Sequence, residues 1–382
     1  MKSIRSWARK MENIQSFKRG VGYLNVYQEL QLNQSGSKNL IRGTKNKNEK
    51  ARHIVIYLFK IFLTLAFCVG FVTVFTKLFG EKNSVAGVVV LLAVMVFKNA
   101  DLGIKASHGS AVIGFLFLIL AFGPKITNLL LPGWAFFFNF IFLLTLLVLG
   151  CHNILMANHA TWILGYLLLQ GNDVTGQDYL LRLAALGLGA LMTMFVFYRN
   201  HKHMVYKREF RDLFREFELS SLRTKWQLRM ALGISSGMFL AQLFHLPRVM
   251  WAGFAMMSVI QPFREDLLER SKPRFVGNVV GCGIFFVLCA VMPESSYGMM
   301  GILGGIGVGL SATYLWQTVF NSFGALATAM AVFGMTGSMA FRLINNLFGV
   351  VYGVIFDYLF DKVCCMIEKS GAADQRTREG AL

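Results

Sequence analysis

The sequence predicts an all-α protein, a polytopic transmembrane bundle of about twelve spans arranged as two parallel six-helix repeats. Three observations predict it. Hydrophobic residues make up 55% of the 382 and charged residues only 15%, whereas a soluble domain carries about a quarter charged residues. Apolar runs close to the ~20 residues needed to cross a bilayer recur along the chain. The charges that do occur are gathered into a few segments instead of forming a solvated shell.

The apolar segments fall at 54–78, 84–98, 108–124, 128–150, 153–170 and 180–198, and after a charged stretch at 228–246, 249–262, 275–292, 297–314, 317–336 and 342–361. Charge orients them. Residues 1–52 hold twelve Lys/Arg against three acids, and 199–229 hold nine Lys/Arg. Lys/Arg-rich loops are retained in the cytoplasm, so the amino-terminal segment, the central segment and the tail share that side. Six spans before the centre and six after it satisfy this, and put the acidic turn with Asp173 and Asp178 outside. The same retention accounts for the formal net charge of +18 without invoking a nucleic-acid partner. The expected partner is the lipid bilayer, and the sequence leaves homo-oligomerisation open.

Five regions follow: a flexible basic cytoplasmic arm at 1–52, a first membrane repeat at 53–198, a basic linker helix at 199–227, a second membrane repeat at 228–363 and a cytoplasmic tail at 364–382. In the linker, Phe210, Leu213, Phe214, Phe217 and Leu219 recur beside charged positions at helical spacing. That pattern fits an amphipathic helix lying on the inner membrane surface, or a solvated helix packed on the bundle. The halves resemble each other at an offset near 165: Leu78-Phe79 with Leu243-Phe244, Ala86-Gly87 with Ala252-Gly253, Asp101-Leu102 with Asp266-Leu267, and Gly114 with Gly281. Both copies start inside and hold an even number of spans, so the repeat is parallel.

No catalytic constellation appears, and no enzyme is expected. The six cysteines form no CxxC pair and no His stands at metal spacing from one, so no cofactor or metal is implied. Glycines four apart, such as Gly277 and Gly281 or Gly349 and Gly353, allow close helix contact. Ionisable residues inside apolar segments are costly and need a reason. Those singled out, within or near the ends of the segments, are Lys60, Lys98, Asp101, Lys105, Arg229, Arg248, Arg264, Arg274, Arg342 and Asp357, accompanied by Asn99, Gln261, Asn345 and Asn346. His108, His152, His159 and His245 lie at or near predicted spans.

The second half resembles the FUSC family, the fusaric acid resistance and aromatic acid exporter group, and is distantly similar to plant aluminium-activated malate transporters. The elements that carry the resemblance are Arg229-Met-Ala-Leu-Gly233, Pro247, Trp251, Gln261-Pro262, Arg274-Phe-Val-Gly277-Asn-Val-Val-Gly281 and Arg342-Leu-Ile-Asn-Asn-Leu-Phe-Gly349. Gly277-Asn278 stands where the family has Gly-Thr, and the first half reads as lacking both the Trp and the Arg–Gly element. The resemblance implies proton-driven export of organic or aromatic anions across a bacterial inner membrane, with both termini cytoplasmic. Candidate substrate-binding residues are Arg342, Arg274, Arg264, Trp251, Gln261 and Asn345. Asp357, Asp101 and His245 are candidates for proton coupling, and Pro247, Pro262, Gly277, Gly281 and Gly349 are the structural motif.

An anion channel is the alternative implied by the malate-transporter likeness. A non-transporting, envelope-associated membrane protein is the other. The topology has a direct test. A single Cys at Ser220 of a cysteine-free protein is expected to react with an impermeant maleimide only from the cytoplasmic side, and labelling from outside would contradict it.

Overall fold

An apolar segment in lipid must bond every backbone N–H and C=O internally, so it forms a helix. In the computed structural model this is what the apolar runs do. It describes residues 25–379 apart from 33, 157 and 312, and without the side chains of 35, 155, 264–266, 295 and 368–379. The described residues contain no strand.

Two short helices, α1 (Val26–Gln31) and α2 (Gln34–Gly43), precede the first membrane half. That half comprises α3 (Lys47–Phe79), α4 (Ser84–Phe97), α5 (Ala106–Leu129), α6 (Pro132–Gly150), α7 (His159–Gly171) and α8 (Gln177–His201). A six-residue α9 (Phe210–Arg215) lies in the linker. The second half comprises α10 (Leu222–Leu243), α11 (Met250–Val259), α12 (Arg264–Val291), α13 (Met300–Leu310) and α14 (Tyr314–Glu379). Gly334, at φ 69° and ψ 179°, breaks α14 into arms 314–333 and 335–379. An L side chain is disfavoured at that φ, so a glycine marks the break.

Each of the twelve apolar segments overlaps a helix or an arm, and 317–336 runs across the break. By length and composition, five helices among the described residues can cross a membrane: α3, α5, α6, α8 and Leu267–Val291 of α12. The others include α4, α7, α11 and α13, of 14, 13, 10 and 11 residues. At 1.5 Å per residue such helices reach about 15–21 Å, short of a ~30 Å hydrocarbon core. Twelve full spans therefore do not follow from helix length. The lipid-facing surface is plainest on α3, whose most apolar window is only 6% buried within the protein. Leu58, Phe62, Phe67 and Leu78 stand exposed along it.

The first half closes around Trp162 of α7. Its ring lies 5.1 Å from Phe97 of α4 and 5.8 Å from Phe117 of α5. The halves interlock where α6 packs on α10, α7 on α11 and α3 on α13. Polar contacts mark two ends. At one, Lys82 pairs with Asp178 at 2.8 Å and Lys125 with Asp173 at 3.0 Å. At the other, the linker is clamped to the ends of α4, α5 and α6. Tyr206 donates to Asp101 at 2.6 Å, Lys105 pairs with Glu209 at 2.5 Å, and Glu216 meets Arg208 at 2.8 Å and Arg223 at 3.3 Å. His152 also approaches Glu216, at 3.3 Å. Desolvation, then the Arg223 charge, push the His152 pKa down, so Arg223 supplies the positive charge there.

Two expectations are corrected, and the tail takes a structure the sequence left open. The amino-terminal arm is helical at α1 and α2 and is tied down: Gln34 donates to the Gly309 carbonyl and Lys38 to that of Ser311, both at 2.5 Å, and Lys60 donates to Leu32. These bonds satisfy carbonyls that a helix end leaves open; residues 1–24 lie outside the description. The linker carries one six-residue helix instead of a long amphipathic one. The tail continues α14 as helix to Glu379.

The glycine contacts are testable. A Cβ on Gly281 would lie 2.7 Å from the Val319 carbonyl oxygen, and one on Gly277 would lie 2.9 Å from that of Leu315. Both oxygens belong to the 314–333 arm. Overpacking costs about 1–3 kcal/mol when neighbours can yield, and a backbone yields least. Gly281→Leu and Gly277→Leu are expected to lower the yield of folded protein and its melting temperature. Gly283→Leu, with nothing within 4 Å of its added Cβ, is expected to change neither. Equal stability of Gly281→Leu and Gly283→Leu would refute the contact.

Candidate functional site

Arg342 projects from the 335–379 arm into the contact with α12, and Asn278 of α12 organises what it meets. The Asn278 Oδ1 accepts from Arg342 Nε at 3.2 Å and from Ser322 Oγ at 3.1 Å. Its Nδ2 donates to Asn346 Oδ1 at 3.0 Å and to the Arg274 carbonyl at 2.8 Å. Asn346 returns a bond to the Arg342 carbonyl at 2.8 Å. The guanidinium of Arg342 stacks over Trp251 of α11, 5.1 Å from the ring centroid. Glycine makes this crossing tight: a Cβ on Gly349 would lie 2.5 Å from the Ala252 carbonyl oxygen.

Arg274 stands one turn before Asn278 on α12 and shares that residue with Arg342, Asn278 donating to the Arg274 carbonyl and accepting from the Arg342 Nε. The two arginines are 8% and 4% exposed. Among the described residues neither has an ion-pair partner, and the buried Nε of Arg274 donates to nothing. Glu269, five residues before Arg274 on α12, is exposed. Asp357 of the 335–379 arm pairs with Arg229 at 2.9 Å. Removing a charge from water costs several kcal/mol unless an opposite charge or a full set of hydrogen bonds replaces it. Among the described residues, two guanidiniums short of both form a site that lacks negative charge.

The other candidates divide. Asn345 donates to the Pro247 carbonyl at 2.7 Å, which ties the arm to the 244–249 turn between α10 and α11. That turn holds His245 at φ 53° and Arg248 at φ 56°, a left-handed conformation uncommon outside glycine. Arg248 sits 5.5 Å over Phe333 beside the break at Gly334. Gln261 donates back to the Met257 and Ser258 carbonyls, and its own carbonyl accepts from Arg229 at 2.7 Å. Gln261, Pro262 and the Arg229–Asp357 pair therefore belong to the linker end, fifteen residues along the arm from Arg342, or about 22 Å. Asp101 is engaged by Tyr206, outside this cluster. The side chain of Arg264 lies outside the described residues.

Sequence reasoning missed two features. Asn278 entered only as a departure from a family motif, yet four partners converge on it. The first half does hold an Arg–Gly element: Arg182 stands seven residues before Gly189, the spacing of Arg342 and Gly349. Gly189 meets Val90 of α4 much as Gly349 meets Ala252 and Ala255 of α11. Spacing alone could have found it. Arg182 is 3% exposed, but protein oxygens satisfy it. It donates to Asn83 Oδ1 at 3.0 Å, to the Asn172 carbonyl at 2.5 Å and to the Lys82 carbonyl at 3.0 Å.

No curated protein and no solved structure matches the chain. Residues 235–356 match the family model described as fusaric acid resistance protein-like. The matched stretch contains Trp251, Arg274, Asn278, Ser322, Arg342 and Asn346, the whole of the cluster just described. The match points to a membrane transport or efflux role. The resemblance carried by the Arg274–Gly281 and Arg342–Gly349 motifs is thus borne out over residues 235–356, the stretch in which the chain is similar to the fusaric acid resistance protein-like family.

Proposed function

We propose that this protein transports a small organic anion across a membrane, with the carboxylate held between Arg274 and Arg342. One observation carries the reading: among the described residues, the two buried arginines that meet at Asn278 have no carboxylate beside them, and the buried Nε of Arg274 has no acceptor. Arg182 sharpens it, because the equivalent cation in the first half is satisfied by three protein oxygens and has no need of a ligand. A guanidinium binds a carboxylate through two parallel N–H donors. Trp251, Phe254, Phe333 and Phe341 supply an apolar and aromatic surface near it, which suits an anion with an apolar body.

Closure of the site favours a carrier that exposes it alternately over an open channel. The strained 244–249 turn and the Gly334 break adjoin it and are the elements suited to move. Asp357, paired with Arg229, is the carboxylate placed to couple a proton. The family likeness supports export, with the linker and both termini on the cytoplasmic side of a bacterial inner membrane.

Benzoate titrated into the purified protein tests this. A ligand that binds only the folded state raises the melting temperature. Arg342→Lys keeps the charge but loses the paired donors. It is expected to fold normally and bind benzoate at least tenfold more weakly, about 1.4 kcal/mol. Arg182→Lys is expected to lower the melting temperature while leaving the affinity of the folded protein unchanged. Wild-type affinity in Arg342→Lys would remove Arg342 from the site.

A further inference from the structure

A cavity of about 640 Å³ lies far from Arg342, between α5, α6 and the linker helix α9. Its size is within the ~300–1,000 Å³ of sites that enclose an organic ligand. The walls are Ala111, Val112 and Phe115 of α5, Leu149 of α6, and Phe210 and Phe214 of α9. It sits at the ends of two helices that are long and apolar enough to cross the bilayer, so it opens at the level of the headgroups on the linker side.

Phe210 and Phe214 lie one turn apart, edge to face at 5.3 Å, and are 40% and 54% exposed. They stand in a basic stretch of the chain, where 199–229 hold nine Lys/Arg against four acids. Exposed phenyl rings beside basic side chains are the composition of a segment that lies in a membrane interface. The polar groups at the edge are not equivalent. Glu209 is taken by Lys105 at 2.5 Å, and His108 accepts from the Phe210 backbone N–H at 3.3 Å. Arg211 also lines the cavity, and among the described residues it has no hydrogen bond or ion pair. An apolar chamber with an uncommitted guanidinium at its mouth, on a segment of net positive charge, is complementary to a long apolar body with an anionic head.

We propose that this cavity is a binding site for an anionic phospholipid of the adjoining leaflet, with an acyl chain between α5 and α6 and its phosphate at Arg211. The site would fasten the linker, and with it the junction of the two halves, to the membrane surface.

Native mass spectrometry of the intact protein, titrated with dioctanoyl phosphatidylglycerol, tests the proposal. One tightly held molecule per chain is expected. Dioctanoyl phosphatidylcholine, with the same chains and no net charge, is expected to bind at least tenfold more weakly, and glycerol 3-phosphate, a head without chains, not to bind measurably. Ala111→Trp fills the chamber and is expected to abolish the tight site. Arg211→Gln is a surface change that leaves the fold intact, and it is expected to erase the preference for phosphatidylglycerol even if Ala111→Trp fails to fold. Equal binding of the two lipids to the wild type, or an unchanged preference in Arg211→Gln, would overturn the proposal. Binding of glycerol 3-phosphate as tight as that of the lipid would reduce it to a phosphate site and equally overturn it.

Discussion

Burying a guanidinium is the constraint on which the second half of this protein turns. A cation taken out of water must recover its hydration from fixed oxygens or from an opposite charge. Among the described residues, four buried arginines meet that demand in three ways. Arg182 is enclosed by three protein oxygens. Arg229 has a carboxylate, Asp357, and a carbonyl, that of Gln261. Arg274 and Arg342 share a crossing with Asn278 and Asn346, and among the described residues only one of their guanidinium nitrogens, Arg342 Nε, has a hydrogen bond to show for it. The protein has thus built the same kind of element twice and completed it once. The incomplete copy lies within the stretch that carries the family match.

The surrounding architecture follows from getting backbones close enough for such short side chains to reach. Asn and Ser span little distance, so α12 must lie against both arms of α14. Gly277 and Gly281 allow it on one arm, where an added Cβ would meet backbone oxygens. Gly349 does the same between the other arm and α11. The positive φ angles of His245 and Arg248 and the break at Gly334 sit where these elements turn. Tight crossings resist deformation, which concentrates any motion in those few residues.

How far this was legible in the sequence depends on which force decided each element. The apolar segments were readable because lipid leaves the backbone no alternative to a helix; 84–98 corresponds to α4 almost residue for residue, and 249–262 contains the whole of α11. The linker was not readable, because tertiary bonds outcompeted its helical pattern. The carbonyl of Arg208 accepts from the Lys105 N–H at 3.0 Å, and Tyr206 is drawn to Asp101. The amino-terminal segment looked flexible by composition, since nothing in its own residues signals that Gln34 and Lys38 find carbonyls more than 270 positions away. Within the site, Arg274, Arg342 and Trp251 were all visible as motif residues. The partners of Asp357 and the central role of Asn278 required the crossing geometry. Arg182 and Gly189 repeat a spacing present in the sequence, and what hid them was the absence of the flanking Trp.

The central claim is that the Arg274–Arg342 pair is completed by an anion. Anomalous X-ray diffraction from crystals of the protein grown with 4-bromobenzoate measures that directly, because the bromine marks where the ligand lies. The account predicts a bromine peak among α11, α12 and the 335–379 arm, with the carboxylate bridging the two guanidiniums and the ring against Trp251. A bromine bound only elsewhere, with Arg274 and Arg342 held by a carboxylate of the protein itself, would contradict it.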